Sequence, residues 1–470
     1  MSWLILYTIG GWLVRAAMVP VVLGRRFAPG AAWAWLGIVF LHPYIGFTLY
    51  MLVGETRIDP RRAELHRQII EQFRRRGGVS IPPPQLAEIY HPMAQEAEKI
   101  SGLPIRDGNA IEFLADSNDM VNQLCAAIDA GRSQVHLLYY IYACDKTGEK
   151  VTAALMRAAM RGVKCRVLVD AVGSRSFFGS DGPAARLQAA QVEVAAAQRV
   201  ATLRRGFSRM DLRNHRKLAI IDGQVALAGS QNLVNADYDG KCGQWFDVTG
   251  KLTGPIVAEL DGVFCEDWAL ETGQKLQRLE EPPPVAENGI PMQAVPTGPS
   301  FPGETYRRVL LAAIQSARRQ LILTTPYFVP DEPTLVSLMM AADQGVEVKL
   351  ILPMHPDHMF TAAAGRAHFE TLMHAGVKIF LFEPGILHSK TTTVDDAFVL
   401  YGSANLDVRS FNLNYELSLL LYGSEVTNRM RAIQLRYLEQ SKELKLEEWL
   451  RRSTIKRYAD GAISMLSPLL

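Results

Sequence analysis

An α/β protein of two pseudo-symmetric lobes, each a mixed sheet flanked by helices, is expected behind an N-terminal two-helix membrane segment. Three features carry this expectation. The string His-x-Lys-x-x-x-x-Asp occurs twice, 173 residues apart, and each copy is followed at the same distance by Gly-Ser-x-Asn. The chain around each copy repeats one order of helix, strand, helix and strand. Two apolar runs, 3–23 and 31–53, open the chain.

The first run is interrupted by Arg15 and Pro20, and the second by His42-Pro43 near its middle. Each is long enough to cross a bilayer, which takes about 20 residues. The start has no basic n-region and a second run follows at once, so two membrane helices (1–54) fit better than a signal peptide. Arg15 and His42-Pro43 leave room for a less regular form, a shallow or re-entrant hairpin. A basic stretch follows: Arg57, Arg61, Arg62, Arg67, Arg74, Arg75 and Arg76, with Arg25 and Arg26 in the short loop before it. Positive residues collect on the cytoplasmic side and favour anionic lipid, so the seven arginines after the second run put the catalytic part in the cytoplasm, while the two in the loop make the asymmetry imperfect. Residues 55–100 read as a linker helix ended by the Pro-rich IPPPQ at 81–85.

The first lobe, 101–285, is expected to contain helix 119–131, strand 134–142, amphipathic helix 149–161 and strand 165–170. The second, 286–470, repeats the order with helix 312–319, strand 320–328, helix 333–345 and strand 346–353. AAID…GVKCRVLVD against AAIQ…GVEVKLILP marks an internal duplication. Alternating elements favour a parallel or mixed sheet with helices on its faces, and ligands at the carboxyl ends of its strands. The Pro- and Gly-rich stretch 272–303 reads as the boundary between halves. Residues 425–452 read as a solvated amphipathic helix.

At 470 residues the chain exceeds one ordinary domain. A formal net charge of +2 supplies no basic field for nucleic acid. Apolar content of 48% suits a globular protein with some membrane-embedded surface. Cys125, Cys144, Cys165, Cys242 and Cys265 show no Cys-x-x-Cys spacing and read as free thiols in a reducing compartment. The histidines are not grouped at metal-ligand spacing, so neither a metal nor a cofactor is expected.

The first motif copy holds His215, Lys217, Asp222, Ser230 and Asn232; the second holds His388, Lys390, Asp395, Ser403 and Asn405. Leu218–Ile221 and Thr391–Val394 read as strands. Two residues apart in a strand, His and Lys share a face. Lys can hold a phosphate oxygen as a compact cation, and the Asn amide and Ser hydroxyl can donate to the same oxygens. Imidazole, with an unperturbed pKa near ~6.5, can be a nucleophile in one copy and a proton donor in the other. A phosphodiester fits: one His attacks phosphorus, the other protonates the leaving alkoxide and then deprotonates the incoming alcohol, with no metal needed. Each imidazole also needs an acceptor on its far nitrogen. Asp247 in WFDV and Glu416 in NYELSLLL, downstream of the first and second copies, are the candidates. Asp222 and Asp395 lie on the opposite side of their strands and read as buried acceptors that anchor a loop. Arg213, Arg409 and Asn412 flank the motifs as candidates for a second headgroup. Tyr139, Tyr140, Tyr327 and Phe328 enter the cleft, with core packing as their default. His136, His355, His358, His368 and His374 have no partner pattern.

With these residues the chain resembles the phospholipase D superfamily, whose mark is the doubled motif, and more narrowly its bacterial cardiolipin synthases. The likeness covers essentially the whole chain through LLYYIYACDKTGEKV, RGVKCRVLVDAVGS, NHRKLAIIDG, TTPYFVPDEPTL, LHSKTTTVDD, GSANLDVRSFNLNYEL and the terminal SPLL. Leu138 stands where a Glu is usual, Gly229-Ser230 where Gly-Gly is usual, and Phe246 where an Arg is usual. The resemblance implies a phosphatidyltransferase that joins two phosphatidylglycerols into cardiolipin and glycerol through a phosphohistidine. It implies His215 as nucleophile, His388 as acid and then base, and Lys217, Lys390, Asn232 and Asn405 on the phosphate. It also implies a multi-pass protein of the bacterial inner membrane whose partners are phosphatidylglycerol, other phospholipids and the membrane, without nucleic acid; a homodimer stays open. A phospholipase D-type hydrolase, or a synthase drawing on phosphatidylethanolamine or CDP-diacylglycerol, is the alternative. A membrane-tethered scaffold is disfavoured by the intact motifs, and a nuclease by the apolar amino terminus.

Overall fold

The computed structural model describes residues 3–25, 29–54, 60–75, 86–198, 212–238, 243–277, 279, 282–301 and 305–465. They divide into two compact units, one within Met1–Ala63 and Val200–Leu212, the other within Glu64–Arg199 and Arg213–Leu470.

In the first unit the run 3–23 forms one helix, Trp3–Leu23. It is the one helix among the described residues long and apolar enough to cross a membrane. Trp3, Tyr7, Trp12 and Leu13 point outward from it. The second run does not form a single membrane-length helix. It breaks into Pro29–Leu41 and Pro43–Leu49, followed by a π-helical turn, Tyr50–Gly54. The cause is His42-Pro43: Pro43 has no N–H to continue the first helix, but it suits the first position of the next. The break leaves last-turn carbonyls open, and Arg15 takes one. Its Nε and Nη2 donate to the Phe40 carbonyl at 3.0 and 2.9 Å. A cation at a helix carboxyl end also meets the negative end of the helix dipole. The Tyr44 hydroxyl donates to the Tyr7 carbonyl at 2.7 Å, and Met18, Val22, Trp35, Val39 and Tyr50 form a small core.

In the second unit the strands of the first half are β1 (Arg106–Leu114), β2 (Gln134–Tyr139), β3 (Lys164–Asp170), β4 (Glu193–Ala197), β5 (Lys217–Ile221), β6 (Val225–Gly229), β7 (Gln244–Phe246) and β8 (Thr249–Thr253). Those of the second are β9 (Ile290–Thr297), β10 (Gln320–Thr324), β11 (Phe328–Val329), β12 (Glu347–Pro353), β13 (Lys378–Phe382), β14 (Gly385–Leu387), β15 (Thr391–Val394), β16 (Phe398–Gly402), β17 (Leu406–Asp407), β18 (Glu416–Tyr422) and β19 (Ser441–Glu443). Fifteen of them make one sheet. From its middle, one side runs β1-β8-β6-β5-β2-β3-β4 and the other β9-β18-β16-β15-β10-β12-β13-β19. The two successions match strand for strand until β19, so the duplicated sequence is a duplicated half-sheet. β2-β3-β4 and β10-β12-β13 are parallel and the other pairings in this sheet antiparallel, which makes it mixed. Helices Lys146–Met160 and Glu332–Asp343 make the crossovers that parallel pairs require. Both begin on an Asp side chain, Asp145 and Asp331, that accepts a first-turn N–H.

Strand alternation sorts the core. Leu137 and Tyr139 pack with Leu124 and Leu155 on one face, while Leu138 packs with Leu260 and Phe264 on the other. That second core is shared by both halves through helices Ile256–Thr272 and Ser424–Glu439. Leu138, in place of the Glu usual there, is therefore a core residue.

Three local expectations need correction. The stretch read as a turn-rich boundary contains β9, which lies in the middle of the sheet. Pro291 and Pro296 disguised it, since a central strand normally excludes proline. Here Pro291 falls in the irregular gap between the pairs Arg106↔Met292 and Asn109↔Ile290, where the ladder is already interrupted. The region 425–452 is not one solvated helix. Its helix ends at Glu439, buries Met430, Ile433 and Tyr437, and gives way to β19, which pairs with β13. Helix Pro60–Arg75 is more than a linker, because His66, Ile69 and Ile70 are buried. The Pro-rich segment 81–85 lies outside the described residues.

Candidate active site

Each His-x-Lys pair enters the strand that follows it, β5 or β15. At the other end of each strand sits the motif aspartate. Asp222 accepts the N–H groups of Arg132, Ser133 and Gln134 at 2.8, 2.7 and 3.0 Å. Asp395 accepts those of Arg318, Arg319 and Gln320 at 3.0, 2.8 and 2.9 Å. Both have left-handed backbone, φ 52° and 49°. These are loop anchors, each fastening the start of a neighbouring strand. Asp222→Ala or Asp395→Ala orphans three N–H groups and puts a Cβ-only side chain in a strained conformation. Each is expected to lower stability by about 3 kcal/mol, seen as a fall in Tm, with activity per folded molecule retained.

The histidines are held from across the duplication. His215 Nδ1 lies 3.0 Å from both carboxylate oxygens of Glu416. His388 Nδ1 lies 2.7 Å from Asp247 Oδ1. So the acid downstream of each motif copy serves the imidazole of the other copy. Backbone pairing enforces this crossing. His215 N–H donates to the Tyr415 carbonyl at 2.9 Å, and Tyr415 N–H to the Arg213 carbonyl at 2.9 Å. In the same way β14 pairs in parallel with β7, and His388 N–H donates to the Phe246 carbonyl at 2.8 Å. With Nδ1–H given to a carboxylate, each ring keeps Nε2 for chemistry.

The motif serines act on the acids rather than on a ligand. Ser230 Oγ donates to Asp247 at 2.6 Å and Ser403 Oγ to Glu416 at 2.5 Å. Their single protons are used there, which corrects their assignment to phosphate. Arg216, which no sequence signal singled out, is fully buried between His215 and Lys217. Its Nε donates to the Glu416 carbonyl at 3.0 Å, Nη1 to Asp267 at 2.7 Å and Nη2 to the Thr297 carbonyl at 3.2 Å. It thus fixes the backbone of an acid contributed by the other half.

His215, His388, Asn232 and Asn405 line one cavity of about 390 Å³. Lys217 and Lys390 are buried beside it, each Nζ donating to its own His carbonyl at 2.6 Å. The four aromatics divide: Tyr140 and Tyr327 line the cavity, Tyr139 and Phe328 are core. Arg213 and Arg409 line it as well, with Arg213 paired to Asp170 at 3.3 Å. Asn412 is exposed and bonded to Val408; Asn414 lines the cavity in its place and donates to Glu416 at 3.3 Å. Asp357 and His358, given no role from sequence, also line it. They follow the carboxyl end of β12, where ligands gather in such sheets, and that position was the available signal.

Two stretches, 124–268 and 310–436, match the family model described as "Cardiolipin synthase, PLD-like domain". Cardiolipin synthase A of Edwardsiella ictaluri (strain 93-146) is 36% identical over all of this chain and 98% of its own. The chain belongs to the cardiolipin synthase family. A second member, cardiolipin synthase A of Proteus mirabilis (strain HI4320), is 34% identical over 100% of this chain and 99% of its own. The phosphatidylserine synthase of Haemophilus influenzae Rd KW20 shares the fold, with a TM-score of 0.60 at 15% identity over 80% of this chain and 99% of its own. Membership in the cardiolipin synthase family and the exposed apolar helix Trp3–Leu23 together point to membrane association.

Burial dominates the electrostatics of this family member's site. It drives His215 down to about 4 against the opposing pull of Glu416, and it lowers His388 against Asp247. Burial also puts Lys217 well below its ordinary value and Lys390 at about 8. Asp247 is raised by burial but brought down to about 2 by His388 and Lys390. At neutral pH both imidazoles are therefore neutral and the acids ionised. His215 titrates near 6.5 when unfolded and about 4 when folded. A proton thus favours unfolding, so stability is full above 6.5 and lost as pH falls toward 4. Thermal melts between pH 7 and 4 are expected to show this loss, and His215→Gln to flatten it.

Proposed function

We propose that the chain joins two phosphatidylglycerol molecules into cardiolipin and releases glycerol. In the first step His215 Nε2 attacks the donor phosphorus. The N–P bond forms, the P–O bond to glycerol breaks, and the leaving oxygen takes the Nε2 proton of His388. In the second step His388 removes the proton from a glycerol hydroxyl of the acceptor lipid. That oxygen attacks phosphorus and the N–P bond breaks, so the cycle is proton-neutral. His215 suits the nucleophile because its low pKa keeps Nε2 unprotonated. The anionic phosphodiester favours a proton on His388, whose imidazolium Asp247 stabilises. Lys217, Lys390, Asn232 and Asn405 surround the equatorial oxygens, where each donor can contribute ~3–4 kcal/mol.

The observation that carries this reading is two imidazoles, each held through Nδ1 by the opposite half's acid, lining one cavity. The apolar hairpin and the arginines after it support a multi-pass inner-membrane protein with cytoplasmic lobes. The test incubates the purified protein with phosphatidylglycerol vesicles and reads lipids by mass spectrometry. Cardiolipin with equimolar glycerol is expected, undiminished by chelator. Phosphatidic acid alone would indicate a hydrolase, and cardiolipin only after adding phosphatidylethanolamine or CDP-diacylglycerol a different co-substrate.

A further inference from the structure

The two ends of the cavity differ. Around His215 stand Tyr140, whose ring meets the imidazole edge at 4.9 Å, Arg213 and Arg409. Beside His388 stand Trp245, at 4.8 Å from the imidazole, and Tyr238, at 5.0 Å from Trp245, and the Tyr327–Asp357 pair lines the same cavity. Asp357 and Tyr327 line this cavity with His388 and, like it, come from the second half of the chain. The Tyr327 hydroxyl donates to Asp357 Oδ2 at 2.6 Å. The other oxygen, Oδ1, is buried with no hydrogen-bond partner, although the carboxyl side chain is only 11% exposed. Asn405 Oδ1, on a residue 4% exposed, is likewise buried and unpartnered.

Buried acceptors without donors cost free energy until something supplies the hydrogens. Phosphate oxygens cannot, being acceptors themselves; hydroxyl groups can. We propose that Asp357, positioned by Tyr327 and joined by Asn405 as a second acceptor, forms a polyol subsite that holds first the leaving glycerol and then the glycerol headgroup of the acceptor lipid. This rests on the phosphatidyl-transfer reading. In an in-line displacement with His215 on one side of phosphorus, leaving and entering oxygens use the same opposite position. That position is beside His388, which protonates one and deprotonates the other. Both are glycerol hydroxyls, so a single subsite serves both, with the reacting oxygen at His388 and a vicinal hydroxyl reaching Asp357. The subsite also favours the acceptor lipid over water, which has no second hydroxyl to anchor.

The test is a competition. Purified protein, phosphatidylglycerol in micelles, and equal concentrations of deuterated glycerol and 1-propanol are incubated together. Labelled phosphatidylglycerol and phosphatidylpropanol are then measured by mass spectrometry. Both products drain one phosphohistidine, so their ratio is indifferent to overall rate and to the folded fraction. The wild type is expected to favour glycerol, and Asp357→Ala to cut that preference by about tenfold. Tyr327→Phe, which leaves the carboxylate without its positioning bond, cuts it by a smaller factor, and it carries the test if Asp357→Ala does not fold. An unchanged ratio in both variants overturns the subsite. So does a wild type that prefers ethanolamine to glycerol in a parallel reaction. A wild type that transfers to neither alcohol overturns the underlying reading instead.

Discussion

His215→Ala is expected to lose phosphatidyl transfer by about 10⁵–10⁶-fold, the scale at which removal of a nucleophile or its paired base leaves only residual catalysis. His388→Ala is expected to fall as far on phosphatidylglycerol, because an alkoxide leaving without a proton is a poor leaving group. The two differ on a substrate that needs no acid. With a phosphatidyl p-nitrophenyl ester, His388→Ala should still release one equivalent of nitrophenol and accumulate a phosphohistidine. His215→Ala should do neither. Acid-labile phosphate on the protein, assigned by mass spectrometry, reads this directly. If the label appears in His215→Ala and not in His388→Ala, the assigned order of attack is reversed.

Glu416→Gln and Asp247→Asn are expected to lower turnover by about 10²–10⁴-fold each, as amides that hold an imidazole in the wrong tautomer do. Their phenotypes should cross over. Glu416 follows the second motif copy but bonds His215, so Glu416→Gln should resemble His215→Ala and form little phosphohistidine from the nitrophenyl ester. Asp247 follows the first copy but bonds His388, so Asp247→Asn should still form the intermediate and stall in transfer. If each acid served its own copy, the two outcomes would be exchanged. Measuring the burst for both variants beside the two histidine variants decides it.

These contrasts show how far the chain could be read before it was folded. The doubled motif exposed the duplication, and with it the mixed sheet, because strand period and His-x-Lys spacing are local properties of the backbone. Asp222 and Asp395 were legible as anchors on the same ground: an aspartate past the end of a short strand finds neighbouring N–H groups. Asp247 and Glu416 could be picked out as acids opening apolar segments, but their partners could not. Their crossing arises from β7 on β14 and from Tyr415 beside His215, contacts between segments 141 and 201 residues apart for the bonded side chains. The serines illustrate a second limit. A hydroxyl in Gly-Ser-x-Asn can face a phosphate or a carboxylate, and only the register of β6 against β8 puts Ser230 on Asp247.

The linear chain was enough to pick out the doubled motif and the number of halves, because residue type and spacing travel with the backbone. Which acid holds which imidazole and that β9 threads the centre despite its prolines were settled by pairing across the duplication. Those contacts join residues remote in the chain, and no local pattern encodes a partner that arrives from the other half.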